Sequence, residues 1–483
     1  MENKSTKLKD FIYAAFIAFL IIMFIQSQVH FLKKGGLKGD VQIAKPDTFS
    51  MSKWFSGSYQ SKTDKYLDEN FGFRDLFVRL NNQIDYSLFN KIHADDVVVG
   101  KDRYLFISSY IKAYYGNDFI GENAILSKIR KIKFLQDTLS RLGKTLIVVF
   151  EPSKANYYPD FIPDSFRKDT RATNYDTYVK MAKNNGVNYI DFNRYFMDHK
   201  YQSQYPLYSK YGIHWTFYGA CLVTDSLIKY IDKARNIRMP EIRWDKIHES
   251  YKPESYDYDI ADGMNLLLKF RYDEKLGYPI VQFREGPGYK KPSLLAVGDS
   301  YFFGISELDL SKMFSDYHFL YYNNTVFPES EKKAFYADQL NLKVEIMNHD
   351  VIMIMATTST INDMGWGFIE KAYKVFKKKN SRYDVTDLSV ISQRDYIKTD
   401  KNWMAQIVQK AKSNHISIDS MITLDAIYVK ELDYQKKVND TRNFIKTDTN
   451  WMKQIEQKAK DRKIPVDSMI TLDAIWATDQ KEK

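Results

Sequence analysis

Cysteine is nearly missing from this chain, with a single one, Cys221, among 483 residues. That excludes a disulfide within the chain and any cysteine-based metal cluster. Its setting, Gly219-Ala220-Cys221-Leu222-Val223, reads as a small buried hydrophobe on a helix. Proline is scarce too, 12 residues against 44% hydrophobic and 27% charged, which excludes a disordered or proline-rich chain. The net charge of +10 is not gathered into a patch, because the lysines are scattered and no basic face interleaves with aromatics. No nucleic-acid partner is expected on that ground. An acidic cluster, Asp257, Asp259 and Asp262, lacks the spacing of an EF-hand loop and has no histidine nearby, so no metal and no cofactor are expected.

Aromatic residues, by contrast, are abundant: 36 tyrosines and 31 phenylalanines, enough for carbohydrate stacking as well as core packing. The length exceeds one ordinary core and predicts an anchor, a main domain and an appendage. From Phe11 to Ile25 every residue is apolar, and Val29, Phe31 and Leu32 extend the run. Residues 11–32 are long enough to cross about 30 Å of hydrocarbon. The pattern of small residues that marks signal cleavage is poor there, so an uncleaved transmembrane anchor is predicted. Lysines flank the run on both sides, Lys4, Lys7 and Lys9 before it and Lys33, Lys34 and Lys38 after it, so charge barely orients it.

Residues 33–110 read as a linker followed by an entry helix and a hairpin. Leu76, Phe77, Leu80, Ile84 and Leu88 fall on one face of a docked helix, and Val97 to Phe106 reads as two short strands about a turn. Residues 111–380 alternate apolar strand-like runs (145–150, 187–190, 294–297, 351–355) with helical patterns such as 124–142 and 175–185. That alternation predicts an α/β domain with a mostly parallel sheet flanked by helices, whose ligands bind at the carboxyl ends of the strands. A domain boundary is placed near 380. Beyond it, residues 385–483 hold a duplication: Trp403 and Trp451, like Ser420 and Ser468, recur at the same offset of 48. An all-α appendage of two helix pairs follows, with Asp400 as an N-cap and the tryptophans in the core.

The residues suited to chemistry stand at strand ends. Ser293 to Val297 runs straight into Gly298-Asp299-Ser300 and an expected helix, a tight turn that would expose Ser300 near the amides opening that helix. Tyr211-Gly212-Ile213-His214-Trp215 places a histidine just before an apolar helix. A serine hydroxyl needs a base near neutral pH and histidine is the usual one, so the pair outweighs either part. Trp215 is read as a sugar-stacking surface or as core, and Asp299, Tyr301 and Lys154 join it as substrate-binding candidates.

Six blocks in order resemble one family: Asn70-Phe71-Gly72-Phe73-Arg74, Val99 to Phe106, Pro152-Ser153-Lys154 with Tyr158-Pro159, His214 to Ala220, Asp257 to Leu266, and the Gly-Asp-Ser strand end. Together, over about residues 64–372, they resemble the SGNH-hydrolase-like domain of the bacterial alginate O-acetylation proteins. The resemblance implies a serine acyltransferase outside the cytoplasmic (inner) membrane that acetylates an exopolysaccharide beside a multispanning membrane-bound O-acyltransferase. It therefore implies that residues 1–10 are cytoplasmic and that the large domain faces the periplasm. Ser300 takes the place of the family's nucleophile and His214 that of its histidine. The family's Asp-x-His-Trp pattern, however, has become Gly212-Ile213-His214-Trp215. Asp191, ending the 187–190 strand, is the first candidate to replace the lost carboxylate, and a Gly212→Asp change is expected to leave activity unchanged or raise it. Carbohydrate esterase activity and a non-catalytic glycan-binding or docking role are the alternatives.

Overall fold

The apolar runs at 145–150, 294–297 and 351–355 become strands of one sheet in the computed structural model. All residues are described except 1, 30, 33–34, 40–42, 168, 170, 378–387, 414–417 and 482–483. The six strands are β1 (Thr145–Phe150), β2 (Tyr189–Asp191), β3 (Leu294–Gly298), β4 (Tyr317–Tyr321), β5 (Thr325–Phe327) and β6 (Val351–Ala356). Their order is β5-β4-β3-β6-β1-β2. All neighbours are parallel except β4 and β5, a hairpin at one edge. β3 and β6 lie in the middle and are buried throughout, as expected of parallel strands covered on both faces. One face carries Ile147, Val149, Ala296, Met353 and Met355 against the helix Phe217–Arg235. The other carries Leu146, Val148, Leu295, Ile352 and Ile354 against the helices Glu122–Arg141 and Phe368–Lys377. A fully buried aliphatic side chain is worth about 1.5–3 kcal/mol, so these two layers hold the frame on which the site stands. Cys221 is buried, and burial pushes its thiol up to about 12.

The entry region differs from the expected single docked helix. It breaks at Phe71-Gly72-Phe73 into Ser58–Asn70 and Arg74–Phe89, with Phe73 at φ 64°. A Cβ on Gly72 would collide with the Met23 carbonyl, so the break sits where the amino-terminal helix makes contact. Leu80, Ile84 and Leu88 are exposed rather than docked, whereas Phe77 meets Phe19 with ring centroids 6.1 Å apart. The amino-terminal helix spans Glu2–Val29, and its Lys7–Val29 stretch is long and apolar enough to cross a membrane. The predicted hairpin forms, Val97–Val99 pairing antiparallel with Leu105–Ile107.

The expected boundary near 380–385 falls outside the described residues. Beyond it, Asp400 and Asp448 cap equivalent helices, each accepting from the amides two and three residues on. Trp403 Nε1 donates to Asp425 and Trp451 Nε1 to Asp473 at 2.9 and 3.0 Å, so the duplication repeats a polar contact as well as a core. Each unit buries its own cluster, and one long helix, Ile418–Thr447, leads from the first into the second, with Tyr434 packed against both clusters.

Candidate active site

The β3 strand ends at Gly298, and the turn that follows is fastened by its aspartate rather than by chance packing. Asp299 Oδ2 accepts from the Thr357 amide at 3.0 Å and the Thr360 hydroxyl at 2.7 Å, and Oδ1 accepts from the Tyr301 amide at 3.1 Å. A Cβ on Gly298 would press on Met355 at 3.2 Å, so the smallest residue is needed where β3 and β6 approach. This leaves Ser300 half-buried, with its hydroxyl donating to His214 Nε2 at 2.8 Å. Across the ring, His214 Nδ1 donates to Asp259 Oδ2 at 2.5 Å. The other oxygen of Asp259 accepts from the Ile213 amide at 2.8 Å, so one carboxylate fixes both the ring and the backbone before it. A hydroxyl, an imidazole and a carboxylate in line have the geometry that a nucleophile, its base and an orienting group require.

Asp191 is elsewhere. Its Oδ1 caps the next helix through the Arg194 amide at 2.9 Å, and both oxygens accept from the Tyr175 hydroxyl. β2 is the edge strand, three positions from β3, and a short aspartate side chain cannot cover that distance. Asp259 escaped the sequence reading because Asp257, Asp259 and Asp262 were weighed only as a metal cluster. The available signal was that this aspartate lay inside one of the six ordered blocks. The three acids in fact part company: Asp257 is buried against the Tyr278 hydroxyl and Asp262 pairs with Lys269.

Gly212 explains the exchange of carboxylates. A Cβ there would stand 2.7 Å from Ser209 Oγ and 2.9 Å from the carbonyls of Tyr256 and Asp257. The turn Ser255–Tyr258 therefore fills the space a side chain at 212 would need, and Asp259 comes in directly after that turn. Restoring aspartate at 212 would create a clash, against the expectation from the sequence.

The four expected substrate-binding residues are all buried. Trp215 is 0% exposed, in the core between Phe196 and Tyr301, with no face left for a sugar. Tyr301 donates to the Ile213 carbonyl at 2.7 Å, and Asp299 holds the serine turn. Lys154 is 1% exposed and donates to the carbonyls of Lys210 and Gly212 at 2.9 and 2.7 Å, pinning the segment that carries His214. Burial pushes its pKa well down, against the opposing pull of Asp259. Burial makes all four parts of the frame under the site, although the Trp215 Nε1 meets no hydrogen-bond partner there. The helix-opening amides are also spent. Tyr301 N goes to Asp299 Oδ1, Phe302 N to the Asp299 carbonyl and Phe303 N to the Ser300 carbonyl. Beneath the turn Glu151 is fully buried, and burial followed by the charge of Asp299 pushes its carboxyl well above the usual range. A cleft of about 460 Å³ lies beside the helix Phe302–Ser306, lined by Phe217, Phe283, Glu307 and Lys312 among others, and none of the three aligned residues lines it.

A strand-end serine on a mostly parallel sheet, aligned with a histidine and a carboxylate from the loops beside it, is an arrangement that fits an SGNH-like α/β fold. Residues 97–243 match the family model described as "SGNH hydrolase-like domain, acetyltransferase AlgX", and the α/β domain is SGNH-hydrolase-like. The "Probable alginate O-acetylase AlgJ" of Pseudomonas syringae pv. tomato is 24% identical over 172 residues, 36% of this chain and 42% of that protein. The chain thus spans less than half the length of that curated relative. Among solved structures, the O-acetyltransferase domain of Pseudomonas putida AlgJ is 16% identical, covering 58% of this chain and 99% of that one with a TM-score of 0.38. Pseudomonas aeruginosa AlgX is 14% identical, covering 57% and 67%, with a TM-score of 0.35.

Proposed function

We propose that this protein is a membrane-anchored O-acetyltransferase of an envelope or secreted polysaccharide, working through an acetyl-Ser300 intermediate. The observation that carries the proposal is the continuous line Ser300 Oγ, His214 Nε2, His214 Nδ1, Asp259 Oδ2, with contacts of 2.8 and 2.5 Å. In the first half-reaction Ser300 Oγ attacks the acyl carbonyl while His214 Nε2 takes the hydroxyl proton. Asp259 stabilises the imidazolium that forms, and the proton then passes to the departing donor group. In the second half, His214 takes the proton of a sugar hydroxyl whose oxygen attacks the acetyl carbonyl, the bond to Ser300 Oγ breaks, and His214 returns the proton to Oγ. Catalysis is favoured over an inert docking scaffold because the carboxylate lost at Gly212 is supplied by Asp259.

The relatives' printed names support an acetyl group and a polysaccharide acceptor, and a multispanning membrane-bound O-acyltransferase is the partner that fits an anchored domain. Lys7–Val29 supports attachment to a membrane, and the inner-membrane location with the α/β domain on the periplasmic side rests on the resemblance to the alginate O-acetylation proteins. The test is to treat the protein with an activated acetyl ester and map the adduct by peptide mass, then add an acceptor oligosaccharide. An adduct on Ser300 that moves to the sugar supports the reading. Acetate release without transfer would make the protein a carbohydrate esterase, and absence of any adduct would sink acyl transfer altogether.

A further inference from the structure

At the opposite, amino end of the sheet a second histidine–carboxylate cluster has no place in acyl transfer. His318 is the second residue of β4 and is in register with Leu295 of β3. Five residues of strand and turn separate Leu295 from Ser300, roughly 16 Å at the rise of an extended chain. Glu345 lies on the helix Leu342–Asn348 and His349 directly follows it, so the two stand four positions apart and turn to the same side. Both are buried, at 7% and 2% exposure. One donor atom from each of His318, Glu345 and His349 lies within 4.8 Å of the others.

We infer that His318, Glu345 and His349 form a binding site for one divalent transition-metal ion of the zinc class, a structural site that ties β4 to the 342–349 segment. The unsatisfied chemistry is what points to a ligand. His349 Nδ1 donates to the Glu345 carbonyl at 2.7 Å, which fixes the tautomer and leaves Nε2 with its lone pair. That Nε2 is buried and meets no protein hydrogen-bond partner. A backbone carbonyl holding one ring nitrogen while the other is left bare is the arrangement found behind metal-binding histidines. Glu329 lies on the other side of the His318 ring, its Oε1 accepting from His318 Nε2 at 2.9 Å, so the fourth position of the ion is left to water.

The donor set suits the ion. Two imidazoles and one carboxylate are borderline ligands that zinc takes at about 2.0–2.2 Å, and the carboxylate offsets part of the charge that burial would otherwise penalise. Tetrahedral coordination at those lengths puts donors roughly 3.4 Å apart, so the site must close by on the order of one ångström on binding. His318 itself hydrogen-bonds to both acids, Glu345 through Nδ1 and Glu329 through Nε2. An ion-pair network alone would account for His318 and both glutamates, but it leaves His349 Nε2 idle.

The experiment uses the full chain, tag-free and in detergent, stripped with a chelator and then titrated with zinc alone and with cobalt alone. About one equivalent of zinc should bind, with cobalt giving visible ligand-field absorption typical of four-coordinate N/O sites, and the melting temperature should rise with metal. His349→Gln should weaken binding by more than the ~10–100-fold that loss of an outer-sphere partner costs, while acetyl-adduct formation at Ser300 is retained. Stoichiometric binding that is unchanged in both His349→Gln and Glu345→Gln would overturn the proposal. So would a wild-type chain that neither binds zinc nor gains melting temperature from it, a result that needs no variant to fold.

Discussion

The ends of β3 and β2 look alike in sequence and do opposite things. Each strand runs an apolar stretch into an aspartate at the carboxyl edge of the same sheet. At β3, Asp299 turns inward to Thr357 and Thr360 and thereby holds Ser300 out toward His214. At β2, Asp191 turns onto its own helix, capping the Arg194 amide and holding Tyr175. Neither aspartate touches the histidine; the carboxylate that does, Asp259, belongs to no sheet strand. The strand end fixes the position of Ser300 because the sheet core holds it, whereas the carboxylate beside His214 is set by whichever loop reaches the ring.

The sharpest way to break this comparison is at its centre. Ser300→Ala should abolish the acetyl adduct in the mass assay while the protein melts as the wild type does. An adduct that persists on another residue would dissolve the distinction between the two strand ends. Next in size is Asp259→Asn, which keeps the shape but disturbs the tautomer of His214. Turnover of a model ester should fall by up to ~10⁴-fold, as loss of the orienting carboxylate does where nothing replaces it. A fall of less than about tenfold would mean that some other group orients the ring.

Gly212→Asp tests why the carboxylate moved. The new side chain meets Ser209 Oγ and two carbonyls, so a loss of about 1–3 kcal/mol is expected by denaturant titration, with turnover lowered rather than raised. Increased turnover would show that the 255–258 turn yields easily. Asp257, two residues before Asp259, sharpens the picture through pH. Burial raises its carboxyl to about 8, whereas the unfolded chain ionises it near the usual value of about 4. Between those values the unfolded state has released the proton that the folded state retains, so wild-type stability falls as pH rises, by up to about 1.4 kcal/mol per unit. Asp257→Asn should remove that slope and gain on the wild type between pH 5 and pH 8. An equal difference at both pH values would mean the buried carboxyl is already ionised. The smallest effect belongs to Asp191→Ala, which should cost about 0.5–2 kcal/mol of stability through the lost cap and leave ester turnover unchanged. A large loss of turnover would return Asp191 to the site.

Much of this molecule was legible without coordinates, for local reasons. Hydrophobic periodicity placed β1, β3 and β6 to within a residue, because buried parallel strands need continuous apolar runs. The 187–190 run was less faithful: Val187 is tied back to Ala182, closing the preceding helix, and the strand begins only at Tyr189. The entry helix failed at Gly72 because its break depends on contact with a helix some fifty residues earlier, and no periodicity records that.

By itself the sequence determined the elements, the apolar amino-terminal helix, the duplicated carboxy-terminal units and the strand-end position of Ser300. Each follows from spacing and composition within a short stretch of chain. Only the tertiary structure decided that Trp215, Tyr301 and Lys154 are frame rather than binding surface, that Asp259 and not Asp191 meets His214, and that His318, Glu345 and His349 share one pocket. Those outcomes depend on which distant side chains arrive within about 3 Å of one another, the range over which hydrogen bonds act. Packing sets that distance, and sequence separation does not: 45 residues part Asp259 from His214, and 23 part Asp191 from it.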